Sequence, residues 1–259
     1  MEETSNPRNT DVDADVWRRN EIVATYDYRQ SLLSEKKDEV LANICRVVNY
    51  FREIQQIDRP RILDIGCGPG TPATLSACIL DSVPMSIVVG VDSSQQMIQV
   101  AKQNLVPSYG ERFDCTPGDF NREDFWAPEI DHTYDFAVSH AALHYLTDER
   151  LIPFLSEVRN HLTNKGVFVA CVANRSSVDE IAKMCHIFRV QFTYNRLQHE
   201  GRAPASFEEF RRSYEDEDSR FGINWRSTNV LLEAMKAAGF RGVDIVWHLW
   251  VRSIIIGLK

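Results

Sequence analysis

From residue 61 onward, short apolar runs alternate with stretches in which apolar residues recur every three or four positions. The runs read as strands buried on both faces, and the stretches as amphipathic helices. Strands are expected at about 60–65, at Ser86–Val91 ending on Asp92, at 112–116, at Tyr134–Ser139 and at Val167–Val172. Helices are expected between them, from Pro72 to Leu80 and from Ser94 to Asn104. Another runs from Thr147 or Asp148 to about Leu162, where Asn164-Lys165-Gly166 would stop it. A helix capped by Ser227 or Thr228 and ending at Ala238-Gly239-Phe240 comes next. Two strands, Val243–Trp247 and Val251–Leu258, close the chain. This alternation predicts an α/β fold: a doubly wound, mostly parallel sheet of seven strands with helices on both faces.

Two regions fall outside the alternation. Residues 1 to about 15 are polar and acidic, so a frayed start is expected. Trp17, Ile22, Val23 and Tyr26 then form one apolar set, and Val40, Leu41, Ile44, Val47, Val48 and Phe51 form a second at helical spacing. They predict two helices with a break near Ser31–Ser34, the second packed on the sheet and the first free to act as a cap. Residues 174–226 are mixed, partly helical and rich in arginine.

The chemistry concentrates where the first core strand ends. Ile62, Leu63 and Ile65 run into Gly66-Cys67-Gly68-Pro69-Gly70, a turn in which backbone lacking Cβ atoms can press against a ligand. Thr71 is a candidate N-cap and Pro72 a candidate first helical residue. Strand, glycine turn and helix N-terminus make a nucleotide-type site. The G-x-G-x-G spacing brings the third glycine one residue too early for the dinucleotide fingerprint, which disfavours an oxidoreductase. Asp92 at the tip of the second strand can accept from both hydroxyls of a ribose. Gly118-Asp119-Phe120 follows the third strand. Ser139-His140-Ala141-Ala142-Leu143-His144-Tyr145 leaves the fourth at the edge where open α/β sheets bind ligands.

With Asp64 two places before the first glycine, the segment 61–71 resembles motif I of the class I S-adenosylmethionine (SAM) dependent methyltransferases. Residues 61–173 look like that family's core, and Leu162-Thr163-Asn164-Lys165-Gly166 resembles its L-x-P-G-G turn, with Asn and Lys substituted. The resemblance implies a Rossmann-like fold and SAM as cofactor, leaving S-adenosylhomocysteine as product. It implies that Asp64, Gly66, Gly68 and Gly70 hold the methionine end, Asp92 the ribose and Asp119, with Phe120, the adenine, with Tyr28, Cys67, Ser93, Met97, Gly118 and Ser139 also at the cofactor. Ala24-Thr25-Tyr26-Asp27-Tyr28 is similar to the segment that folds over SAM in small-molecule members. The expected organisation is a helical cap over 1–57, a SAM-binding core over 58–173, an insertion over 174–226 forming the acceptor pocket, and closing core elements over 227–259.

Transfer of a methyl group from a sulfonium requires an aligned nucleophile and, for an alcohol or phenol, removal of a proton. His144 and His140 are the candidate bases, because both leave strand four on the expected side and histidine titrates near neutral pH. Tyr26 is a third candidate, able to bind the methionine carboxylate or to pair with His144. Each of the three also reads as a structural residue, a histidine bonded to a backbone carbonyl or a tyrosine packed on the core, and His140 more so than the others. Phe188, Phe192, Tyr194, Trp225, Trp247 and Trp250 are candidates to line an apolar acceptor pocket. The eight arginines of 174–226 suit an anionic acceptor, or else they pair with the nine acids of the same stretch.

Composition then narrows the partner. A net charge of −8 without a basic run disfavours nucleic acid. Strand four lacks both the Asn/Asp-Pro-Pro-Tyr segment of exocyclic-amine methylation and a Pro-Cys nucleophile for cytosine. A small organic acceptor methylated on O, N or C is therefore expected. The alternatives are an RNA or protein methyltransferase, or a non-catalytic SAM-binding scaffold or sensor. The six cysteines have no C-x-x-C pair, so no metal site and no disulfide framework are expected. No apolar run reaches the roughly 18–20 residues of a membrane span, and a cytoplasmic location is the expectation. The oligomeric state stays open.

Overall fold

The computed structural model describes residues 20–259, so the reading of residues 1–15 and of Trp17 lies outside the described residues. Two helices come first, α1 (Asn20–Leu33) and α2 (Lys37–Gln55). They are separated at Lys36, which takes the left-handed conformation at φ 58° and so breaks the helical path. The core then runs β1 (Arg61–Ile65), α3 (Leu75–Ser82), β2 (Ile87–Asp92), α4 (Gln95–Tyr109), β3 (Phe113–Pro117), β4 (Tyr134–His140), α5 (Asp148–Asn160) and β5 (Leu162–Ala173). Helices α6 (Asp179–His199) and α7 (Phe207–Arg220) form the insertion. The chain closes with α8 (Thr228–Ala237), β6 (Arg241–Leu249) and β7 (Arg252–Leu258).

All seven strands join one sheet in the order β3-β2-β1-β4-β5-β7-β6. The first five are parallel and β7 is antiparallel to both its neighbours. Strand order reverses between β1 and β4, which opens a crevice beyond their carboxyl ends. Side chains alternate between two cores. Ile62, Val88, Phe136 and Val169 face one, together with Val40, Ile44 and Val48 of α2. Leu63, Val89, Ala137 and Phe168 face the other, against α5 and α8. Phe125 and Phe154 meet there edge to face at 5.1 Å.

Three local expectations change. Helix α3 begins at Leu75 with Thr74 in the cap position, so Thr71 and Pro72 stay in the turn before it. The Thr71 hydroxyl instead donates to Asp27 of α1 at 2.7 Å. Strand β5 begins at Leu162, five residues early, because Leu162 already pairs with Tyr134. Gly166 then serves close packing rather than a left-handed cap: a Cβ there would meet that of Leu162 at 2.6 Å. The insertion is two full helices with their own small core of Val190, Tyr194, Phe210 and Tyr214.

Candidate cofactor and acceptor site

The turn after β1 is wound by three residues at positive φ, Gly66 (76°), Gly68 (64°) and Gly70 (62°). Its path is pinned by Val91, whose carbonyl accepts the amides of both Gly66 and Cys67 at 2.7 and 3.0 Å. The glycines have different neighbours. A Cβ on Gly66 would lie 2.3 Å from that of Ala142, so this residue lets the turn touch the segment leaving β4. A Cβ on Gly68 would meet the Tyr26 hydroxyl at 3.3 Å. Gly70 presses on Ala101 and Leu105 of α4, so its lack of a side chain serves helix packing rather than a ligand.

Asp92 organises the tip of β2. One carboxylate oxygen accepts the Gly68 amide at 3.0 Å and the other the Ser94 amide at 2.9 Å. Each oxygen retains a second lone pair. Burial raises its pKa. Ser93 sits beside it, partly exposed. Asp64 is 1% exposed; Ser76 donates to its Oδ2 at 2.6 Å, while Oδ1 is buried without a partner among the described residues. Burial pushes this carboxyl up to about 7, against the effect of the Ser76 bond. A buried acceptor with no donor, next to a turn stripped of side chains, suits the ammonium of an amino acid, and Asp92 suits a ribose. The residues present therefore fit SAM.

Other predicted residues are used differently. Cys67 is buried, with its thiol raised by burial, beside Gly90. Met97 is buried on α4 and its amide donates to Ser94 Oγ. Gly118 donates to the Asp92 carbonyl at 3.0 Å and has no room for a side chain against Val91. Asp119 accepts the amide of Asn121 at 2.9 Å, holding the loop after β3. Phe120 packs on Phe154 of α5, ring centroids 5.9 Å apart, as part of the core on that face. Ser139 is fully buried and donates to the Ile65 carbonyl at 2.8 Å, so its hydroxyl links β4 to β1. Tyr28 turns away from the glycine turn: its hydroxyl donates to Glu200 at 2.8 Å and Arg202 covers its ring.

Tyr26 of α1 is half-buried over the turn, and burial, then the nearby Asp92 charge, raises its phenol. His140 ends β4 and His144 lies in the tight turn Leu143–Tyr145; each is 7% exposed. The two are not on one helical face, because Ala141 between them takes the left-handed conformation at φ 57°. The Ala173 amide donates to His144 Nδ1 at 3.3 Å. Burial and then the Arg252 charge push both histidines down to about 3. They are neutral at physiological pH, which corrects the expectation of a base titrating near 7.

A cavity of about 70 Å³ opens beside these groups. Its walls include Arg29 and Gln30 of α1, Ala141, His144 and Tyr145 after β4, Arg189 of α6, Trp225, and Arg252 of β7. Arg29 and Arg252 were not marked as site residues in the sequence: 223 positions apart along the chain, they are brought together only by the fold. Of the expected pocket aromatics, Trp225 lines this cavity, while Phe192 and Trp250 line a smaller one beside it. Tyr194 belongs to the small core of the insertion, Phe188 meets Trp250 edge to face, and Trp247 donates to Glu39 of α2. Four arginines of the insertion pair locally, Arg175 with Asp179, Arg211 and Arg212 with Glu208, and Arg202 with Glu200. Arg226 is 7% exposed and reaches Asp148 at 2.6 Å. No group of three His, Cys, Asp or Glu side chains suited to a metal occurs among the described residues.

The reversal of strand order at β1 and β4, with the glycine turn and Asp92 above it, is an arrangement suited to a nucleoside cofactor such as SAM. Known proteins agree. Residues 62–166 match a family described as a methyltransferase domain. A trans-aconitate 2-methyltransferase of Streptomyces coelicolor is 38% identical over 90 residues, 34% of this chain and 27% of that one. A malonyl-[acyl-carrier protein] O-methyltransferase of Halalkalibacterium halodurans is 32% identical over 113 residues, 43% and 39% of the two chains. The matches thus span well under half the length of these relatives. Among solved structures, the CurJ carbon methyltransferase superposes with a TM-score of 0.61 at 17% identity, over 88% of this chain and 56% of that one. Magnesium protoporphyrin IX methyltransferase from Synechocystis, solved with bound S-adenosylhomocysteine, gives 0.58 at 14% identity over 95% and 100%. At such identities these structures share the fold.

Proposed function

We propose that this chain transfers the methyl group of SAM to an O, N or C nucleophile of a small organic acceptor. The observation that carries the reading is that the glycine turn and the cavity share two walls. Tyr26 covers Gly68, and Arg29 and Gln30, a turn further along α1, line the cavity. Ala142 touches Gly66, and its neighbours Ala141 and His144 line the cavity. A cofactor on the turn and an acceptor in the cavity would thus meet across one short stretch of protein. Bound SAM would supply an electrophilic methyl group; the protein's part is alignment and exclusion of water. Asp92 and Asp64 would fix the nucleoside and amino-acid ends. Neutral His144, held through Nδ1 by the Ala173 amide, would present Nε2 to the acceptor as a hydrogen-bonding group. A relative named for trans-aconitate supports a small acceptor, and the net charge of −8 disfavours nucleic acid.

The test is incubation of purified protein with methyl-labelled SAM and panels of small acids, phenols and amines, alongside RNA and bulk protein. Formation of S-adenosylhomocysteine dependent on a small acceptor supports the reading. Labelling confined to RNA or protein, or cofactor binding with no turnover on any acceptor, overturns it.

A further inference from the structure

Arg252 opens β7 where that strand pairs with Ala173 at the end of β5, and it forms part of the cavity wall. Its Nη2 donates to the Leu33 carbonyl at the end of α1, 2.9 Å away. Its Nη1 is buried and has no acceptor among the described residues. A guanidinium N–H removed from water and left unbonded is costly, and a buried cation ordinarily comes with a carboxylate. None is present for Arg252: among the described residues lining the cavity there is no Asp or Glu, and the two other arginines of the wall, Arg29 and Arg189, have interactions of their own. Aromatic rings hold the other two guanidinium groups in place. Arg29 lies over Phe221 at 4.9 Å, and Arg189 lies over Trp225 at 5.0 Å and Tyr214 at 5.1 Å. The two histidines nearby are neutral and add no further positive charge.

We infer that the cavity binds a carboxylate group of the acceptor, with Arg252 as the residue that grips it. This inference rests on the proposed methyltransferase reading for what the bound acid is used for, not for whether it binds. Three features favour a carboxylate. The planar fork of arginine matches its two oxygens. A cavity of about 70 Å³ admits a compact head group. The remaining wall is apolar or neutral, from Leu33, Ala141, Val172, Ile223 and Trp225, and suits the hydrocarbon part of an organic acid. The burial that lowers the pKa of Arg252 would be relieved by the same anion. Specificity follows from the geometry: a neutral ester or amide leaves Nη1 without a charged acceptor and is rejected.

The test uses the full chain in calorimetric titrations with succinate, with neutral dimethyl succinate and with inorganic phosphate, each with and without saturating S-adenosylhomocysteine. Succinate should bind saturably, with dimethyl succinate and phosphate much weaker. Arg252→Gln should weaken succinate roughly ten- to a hundredfold while leaving S-adenosylhomocysteine affinity unchanged. Arg252→Lys, which keeps the charge and loses the fork, should fall between and decides the matter if Arg252→Gln does not fold. The inference is overturned by undiminished succinate binding in either folded variant, by phosphate binding as tightly as succinate, or by no succinate binding to folded wild type. Failure of S-adenosylhomocysteine to bind, with succinate still dependent on Arg252, would sink the methyltransferase reading and leave the anion site standing.

Discussion

The hydroxyl of Tyr26 lies directly over Gly68, 3.3 Å from where a Cβ on that residue would stand. One residue further on, Asp27 accepts the Thr71 hydroxyl, so α1 is fastened to the glycine turn at two points. Helix α1 is therefore part of the candidate cofactor site. Gly68→Ala places a Cβ at a positive φ and against this phenol. The variant should lose about 1–2 kcal/mol of stability, seen as a lowered midpoint in thermal melts. It should also bind SAM at least roughly tenfold more weakly, since the group added lies on the surface the cofactor would cover. Wild-type affinity in a folded Gly68→Ala protein would remove Gly68 from the site.

Asp92 holds the turn and the start of α4 through the amides of Gly68 and Ser94. Asp92→Ala removes both acceptors and the ribose partner together, and should cost about 1–3 kcal/mol in SAM binding. Asp92→Asn keeps one oxygen for the backbone and should retain the fold while still losing affinity. Equilibrium dialysis with labelled SAM distinguishes the cases, and unchanged binding in both variants would refute the ribose role.

The buried carboxyl of Asp64 gives a pH signature. Its folded pKa, about 7, lies above the ordinary value of 3.8. Between pH 4 and 7 the unfolded chain loses this proton while the folded chain keeps it, so folding stability falls as pH rises through that window. Asp64→Asn should flatten that slope and melt higher than wild type at pH 8 by at least about 1 kcal/mol in the absence of SAM. The same substitution should weaken SAM binding, because it removes the charge that faces the ammonium. Thermal melts at pH 4 and pH 8 check the first sign and a titration the second; parallel melting of the two proteins would show that Asp64 is ionised like any surface acid.

His140 and His144 give the opposite acid behaviour. Both are pushed from 6.5 down to about 3. Below pH 6.5 the unfolded chain takes up protons that the folded chain refuses, and stability drains away as pH falls toward 3. His140→Leu should reduce this acid sensitivity. Methyl transfer should show no limb near pH 6.5 attributable to either residue. His144→Ala should lower kcat by roughly ten- to a hundredfold with cofactor affinity unchanged; an equal loss of both would make His144 a purely structural residue.

The sheet was legible because strands covered on both faces write long apolar runs, and because the turn after β1 must be glycine-rich to fold as it does. Strand order beyond β5 was less so, since the pairing of β6 and β7 with the core depends on side chains far along the chain. The roles of individual residues divided in the same way. Asp64, Gly66, Gly68 and Asp92 stand in or beside one local turn, and spacing alone draws them together. Ser139 and Tyr28 looked equally placed, yet each found a partner that spacing does not reveal, the carbonyl of Ile65 and the carboxylate of Glu200. The arginine cavity was hidden for the same reason: Arg29, Arg189 and Arg252 come from α1, α6 and β7 and meet only in the folded chain.

The central claim is that the turn after β1 binds SAM or its demethylated product. Calorimetric titration of wild-type protein with S-adenosylhomocysteine tests it most directly. One molecule should bind saturably per chain. Absence of binding in protein shown to be folded would contradict it.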